Sequence, residues 1–252
     1  MKKRGARLGQ HFLTGLWAAK RLAEAVRVHP GESILEIGPG KGALTRELLA
    51  LGAHVLAIEK DTALVEELKK TFAQEIARGQ LTIVCGDARN FVPEDRPYVV
   101  AANIPYYITG VIIRQFLETD VQPRAMALLV QKEVAERILA RDGKESILSL
   151  SVKAFGTPSI VAKVSRGNFS PSPSVDSAIL LIDNISRDFF LGLDADAFFA
   201  TVRAGFSSKR KTLAGNLKKK FGRVPEGLPE KVRAEDVPLN VWKKITQALS
   251  SQ

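Results

Sequence analysis

The sequence predicts an α/β protein, a doubly wound sheet of parallel strands followed by a small all-helical C-terminal domain. Three observations carry this. From Ser33 to about Asp183, short runs rich in β-branched residues alternate with segments of helical periodicity. After Asn184 the strand signal stops and only helical spacing remains. The chain has 252 residues, 45% of them apolar, which suits one large domain with an ordinary core and one small domain.

Taken in order, Ser33–Ile37, His54–Glu59, Leu81–Cys85, Tyr98–Ala102 and Met126–Val130 read as buried parallel strands. Leu44, Leu48 and Leu49, then Ala63, Leu64, Leu68 and Phe72, supply helices between them. Ile147–Ala154, Ile160–Ser165 and Ala178–Asp183 read as further strands at the far edge. Two prolines bar the segment NFSPSPS, residues 168–174, from a central strand and make it an ordered loop. Phe198, Val202 and Phe206 recur every four residues, as do Leu213, Leu217 and Phe221. Trp242, Ile245 and Leu249 follow Pro238, which suits the first turn of a last helix. The domains are therefore expected to be 1–185 and 186–252.

The composition also excludes. One cysteine forms no internal disulfide, and with three histidines it makes a zinc site unexpected; Cys85 reads as a small core residue. Apolar runs such as Ala125 to Val130 fall far short of the roughly 18 residues of a membrane span. The basic N-terminus lacks the apolar stretch of a signal peptide, so a cytoplasmic address is expected. The net charge of +10 is local. Lys2, Lys3, Arg4, Arg7, Lys20 and Arg21 form one cluster. Arg203, Lys209, Arg210, Lys211, Lys218, Lys219, Lys220 and Arg223 form a second, and neither cluster contains an acid. The remainder holds 23 bases against 27 acids. Two such clusters on a slightly acidic body fit a polyanion footprint, although a solvated face would look the same by charge alone.

The first strand runs into Glu36-Ile37-Gly38-Pro39-Gly40-Lys41-Gly42 and then a helix. Glycines there permit a tight turn and close approach of a ligand to the backbone. Glu59 ends the second strand, where a carboxylate can hold a ribose diol, and Asp87-Ala88 follows the third. Gly38, Gly40 and Ala43 also satisfy the G-x-G-x-x-A form of a nicotinamide-dinucleotide fingerprint. The fourth strand ends in Asn103-Ile104-Pro105-Tyr106, which a dehydrogenase has no reason to carry. An amide oxygen and a backbone carbonyl can accept both hydrogens of an exocyclic amine while the aromatic ring stacks on the base.

At this point the sequence resembles the adenine-N6 methyltransferases, whose motif is N/D-x-P-Y/F. GQHFL at 9–13, EIGPG at 36–40, NIPYYIT at 103–109, QKE at 131–133, FSPSPSVDS at 169–177 and KRKTL at 209–213 occur in order. The set resembles the small-subunit (16S) rRNA adenine dimethyltransferases along nearly the whole chain. That resemblance implies a Rossmann-like class I methyltransferase sheet that uses S-adenosyl-L-methionine. His11 and Leu13 then close over the cofactor, Gly38 and Gly40 line its methionine part, Glu59 holds the ribose, and Asp87 with Ala88 reads its adenine. Asn103 sits between cofactor and target, Tyr106 stacks on one face of the target adenine, and Phe169 covers the other. Charge counting, rather than the resemblance, makes Lys209, Arg210, Lys211, Lys218, Lys219 and Lys220 the residues expected to meet RNA phosphates. The implied substrate is a pair of adjacent adenines in a hairpin near the 3′ end of 16S rRNA, within an immature small subunit. A monomer needing no metal and no membrane is expected.

Two positions depart from the family. Members often have asparagine where His11 stands and a small polar residue where Tyr107 stands. Three other readings stay open. The macrolide-resistance enzymes that methylate 23S rRNA share the first half, but usually lack the FSPSPSVDS loop and the KRKTL helix. A nicotinamide-dependent oxidoreductase would explain only the glycine loop, and a non-enzymatic RNA-binding assembly factor only the charge.

Overall fold

A computed structural model describes residues 11–29, 32–93 and 97–250. Gly9, Gln10 and the basic residues Lys2, Lys3, Arg4 and Arg7 lie outside them. The elements in chain order begin with β1 (Phe12–Leu13), α1 (Leu16–Ala25), β2 (Ser33–Ile37), α2 (Ala43–Ala50), β3 (His54–Glu59), α3 (Thr62–Thr71) and α4 (Ala73–Ala77). Next come β4 (Leu81–Cys85), β5 (Tyr98–Ala102), α5 (Thr109–Glu118), β6 (Met126–Gln131), α6 (Lys132–Leu139) and α7 (Ile147–Phe155). The chain closes with β7 (Thr157–Val164), β8 (Phe169–Ser170), β9 (Ser177–Asp183), α8 (Ala195–Gly205), α9 (Leu213–Phe221) and α10 (Leu239–Ser250).

Two compact units result, Met1–Ala135 with Thr157–Ile185, and Glu136–Gly156 with Ser186–Gln252. In the first, seven strands stand in the order β4-β3-β2-β5-β6-β9-β7. β2 to β6 are parallel, as their near-continuous apolar runs predict, whereas β9 is antiparallel to both β6 and β7. Ile34, Val99, Ala101, Ala127 and Leu129 face one buried cluster shared with α1 and α2. The alternate residues Leu35, Val100, Ala102 and Leu128 are equally buried, so both sheet faces are covered.

β4 corrects the sequence reading. It lies at the sheet edge, with Thr82, Val84 and Cys85 exposed. Cys85 is therefore a surface thiol and not a core residue. Among the described residues no helix is long and apolar enough to cross a membrane.

The second unit also corrects an expectation. Ile147–Ala154 is helix α7, not a strand, and residues 136–156 cluster with the C-terminal part rather than with the sheet. Its alternation of apolar residues with Ser149 and Ser151 imitates a half-buried strand. Both serines are instead buried and satisfied locally. Ser149 closes a capping box with Ser146, and the Ser151 hydroxyl donates to the Ile147 carbonyl at 2.7 Å. Phe155, Phe189, Phe190, Phe198 and Phe199 form an aromatic cluster with centroids 4.9–5.9 Å apart. Trp242 of α10 is fully buried against Gly205, where a Cβ would stand 2.3 Å from its ring.

Candidate active site

Register builds the site. Ile37 lies opposite both Ile58 and Ala102, and Glu59 lies opposite Cys85. The loops after β2, β3, β4 and β5 therefore leave the sheet along one edge. At β2 the chain order reverses, the place where open α/β sheets bind ligands. There the structure has a cleft of about 1120 Å³, measured out to its mouth, lined by His11, Leu13, Gly38, Gly40, Glu59, Asp87, Ala88, Asn103 and Tyr106. All eight residues assigned to the cofactor from sequence thus border one cavity.

The glycine loop is held by hydrogen bonds. Gly38 N–H donates to the Ile58 carbonyl at 2.9 Å, and Gly40 N–H to Glu59 Oε2 at 3.1 Å. Gly40 has φ +59°, and a Cβ there would lie 3.1 Å from the Phe12 ring, so glycine is required twice over. Buried Glu59 also accepts from the N–H groups of Lys60 and Asp61 through Oε1. Asp87 is more heavily engaged. The Arg89 side chain, and after it that of Lys60, donate to it and hold its carboxyl well below the usual carboxylate range. Both cations are largely exposed, so displacing one to free an acceptor for a ligand costs little.

Under the loop, Glu36 is fully buried, and neither oxygen has a hydrogen bond among the described residues. Thr45 faces it without a bond of good geometry. Burial pushes the carboxyl up to about 8, Thr45 acts against that shift, and the nearby Glu59 charge adds to it.

At the end of β5, Asn103 is half-buried and its Nδ2 donates to the His11 carbonyl at 3.3 Å. That bond leaves its amide oxygen without a partner among the described residues. Tyr106 packs its ring 5.9 Å from the His11 ring at 27°, and its hydroxyl pairs with Ser177 Oγ at 2.7 Å. The His11 ring is tied to the Pro171 carbonyl at 2.8 Å. Phe169 is not brought into this cleft. β8 pairs with β1, placing Phe169 opposite Leu13, and the ring is 4% exposed within the core cluster. The ring that faces Tyr106 is that of His11.

A family model described as "Ribosomal RNA adenine dimethylase" matches residues 1–248. The chain belongs to this family. It is 37% identical over 252 residues to the ribosomal RNA small subunit methyltransferase A of Dehalococcoides mccartyi (strain CBDB1), covering 94% of this chain and 86% of that one. The protein of the same name from Deinococcus radiodurans is 38% identical over 255 residues, covering 96% and 84%. A dimethyladenosine transferase from Plasmodium falciparum superposes with a TM-score of 0.79 at 29% identity, covering 93% of this chain and 96% of that chain. The 23S rRNA methyltransferase ErmE gives 0.78 at 26%, covering 96% and 100%. This dimethylase is thus a class I methyltransferase fold and an rRNA methyltransferase.

The basic residues of the dimethylase stand in its second unit. Lys209, Arg210 and Lys211 occupy an exposed turn before α9, not a helix. Buried Asn216 secures that turn by donating to the carbonyls of Gly205 at 2.6 Å and Ser208 at 3.1 Å. Lys218, Lys219 and Lys220 lie in the last turn of α9, where the helix dipole favours cations. None of the six is ion-paired among the described residues.

Sequence reasoning missed Phe12, Ser177 and Glu36. Phe12 covers Gly40, with Lys41 Nζ 5.2 Å from its ring centroid. The signal was present, because Phe12 and Ser177 fall inside motifs already recognised.

Proposed function

We propose that this enzyme transfers methyl groups from S-adenosyl-L-methionine to N6 of two adjacent adenines in a hairpin near the 3′ end of 16S rRNA. It does so on an immature small subunit, as a cytoplasmic monomer that needs no metal. The observation that carries the reading is the Asn103 amide, fixed through Nδ2 and keeping an oxygen without a partner among the described residues, at a cleft beside Tyr106.

The cleft fits such a cofactor. Leu13, Ile37, Ile58 and Ala88 give apolar walls, and the acceptors Glu59 and Asp87 suit a ribose diol and an adenine amine. When bound, S-adenosylmethionine supplies a methyl group activated on a sulfonium. The chain's own residues position the amine. The adenine N6 lone pair is delocalised into the ring, and an N6–H bond to the Asn103 oxygen favours a pyramidal, nucleophilic nitrogen. Tyr106 holds the base by its ring face, while His11 and Leu13 shield the cleft from water. In-line displacement then depends on positioning and electrostatics, with no Lewis acid needed.

The small-subunit reading is favoured over the 23S reading by the relatives' names and by the FSPSPSVDS loop, since the dimethyladenosine transferase and the 23S rRNA methyltransferase match this fold almost equally. Calorimetric titration should give binding of S-adenosylmethionine and none of NAD. A labelled methyl assay on small subunits lacking dimethyladenosine should show transfer, and binding without transfer would favour a pure assembly factor.

A further inference from the structure

We propose that Tyr107 is a stacking platform for the nucleobase next to the methylated adenine. The inference rests on the rRNA reading above and extends it to a neighbouring nucleotide. Tyr106 and Tyr107 open the 3-10 turn Tyr106–Ile108, where successive side chains point about 120° apart. Tyr106 turns inward to His11 and Ser177. Tyr107 lines the same cleft, yet it is 71% exposed, and its hydroxyl makes no hydrogen bond among the described residues.

An exposed ring at the mouth of a cleft has no packing role to explain it. One turn on, Val111 is 53% exposed, and Gly110 beside it has open space where a side chain would stand. A base turned into the Asn103 cleft leaves its sequence neighbour without a stacking partner. An exposed tyrosine face offers such a base a surface to stack on.

The test uses hairpin RNAs carrying the adenine pair, intact or abasic at the nucleotide on either side of the target. With intact RNA, Tyr107→Ser should raise KM roughly 5- to 150-fold, the equivalent of about 1–3 kcal/mol per stacked base. It should leave S-adenosylmethionine affinity unchanged. Tyr107→Trp should restore KM. On one of the abasic RNAs, wild type and Tyr107→Ser should become equal. A Tyr107→Ser penalty that persists on both abasic RNAs, as a protein-docking or packing role would give, overturns the proposal, and so does an unchanged KM on intact RNA. A second readout separates this from failure of the methylation reading. With 2-aminopurine at the flanking position, wild type should quench fluorescence on binding and Tyr107→Ser should not. Quenching without methyl transfer would sink the proposed function and leave the platform standing. RNA bound with no quenching at either position would sink the platform.

Discussion

Glu36 shows what one buried group can dictate. Its carboxyl is fully buried and has no hydrogen bond among the described residues, so it folds with its proton retained. The sign of the pH effect follows. Unfolded, a glutamate titrates near ~4.3, whereas folded Glu36 titrates at about 8. Between those values the native state holds a proton that the unfolded state has lost, and stability falls as pH rises through the window. Glu36→Gln keeps the shape without the charge. Its urea midpoint should gain on wild type progressively from about pH 5 to 8, and parallel curves would mean that Glu36 is not buried neutral. Asn103 gives a prediction of the opposite kind. Asn103→Ala should abolish transfer and leave RNA affinity near wild type, because affinity comes mainly from phosphates. Near-normal methylation would disprove its role. Residues at strand ends were legible in the sequence because the motif and the sheet edge coincide, as at Asp87 and Asn103. Phe169 was not, because a two-residue pairing across more than 150 positions decides where its ring points.

At the scale of elements, the parallel strands were readable from composition, since β5 and β6 are buried on both faces. α7 was not. Buried serines that bond their own helix look like the outward residues of a strand, and only the Ser146 cap marks a helix start. Ser146→Ala should cost about 1 kcal/mol by urea unfolding. α8 is tested by Gly205→Ala. The added methyl meets Trp242 and Leu213, and overpacking of that kind costs roughly 1–3 kcal/mol. A neutral result would show that the helices move apart freely. The turn before α9 carries the functional charge. Changing Lys209, Arg210 and Lys211 together to glutamine should flatten the dependence of log affinity on log salt by about 2 to 3 units, at ~0.9 per phosphate on duplex RNA treated like B-form DNA. An unchanged slope would return the cluster to a merely solvated face.

For the whole molecule, charge and cleft divide the labour. The first unit carries every residue of the cleft, and the second carries Lys209, Arg210, Lys211, Lys218, Lys219 and Lys220, none of them ion-paired among the described residues. The linear boundary expected at 185 misses that division because residues 136–156 leave the sheet and fold with the later helices. Charge segregation was legible because it needs only counting, whereas a discontinuous unit depends on contacts between distant stretches of chain. The central claim is that this cleft dimethylates N6 of small-subunit adenines. Its most direct test is mass spectrometry of rRNA nucleosides, after purified enzyme and S-adenosylmethionine act on ribosomal subunits lacking the modification. The account predicts N6,N6-dimethyladenosine in small-subunit rRNA, from two adjacent adenines; its absence there, or its appearance only in large-subunit rRNA, would contradict the claim.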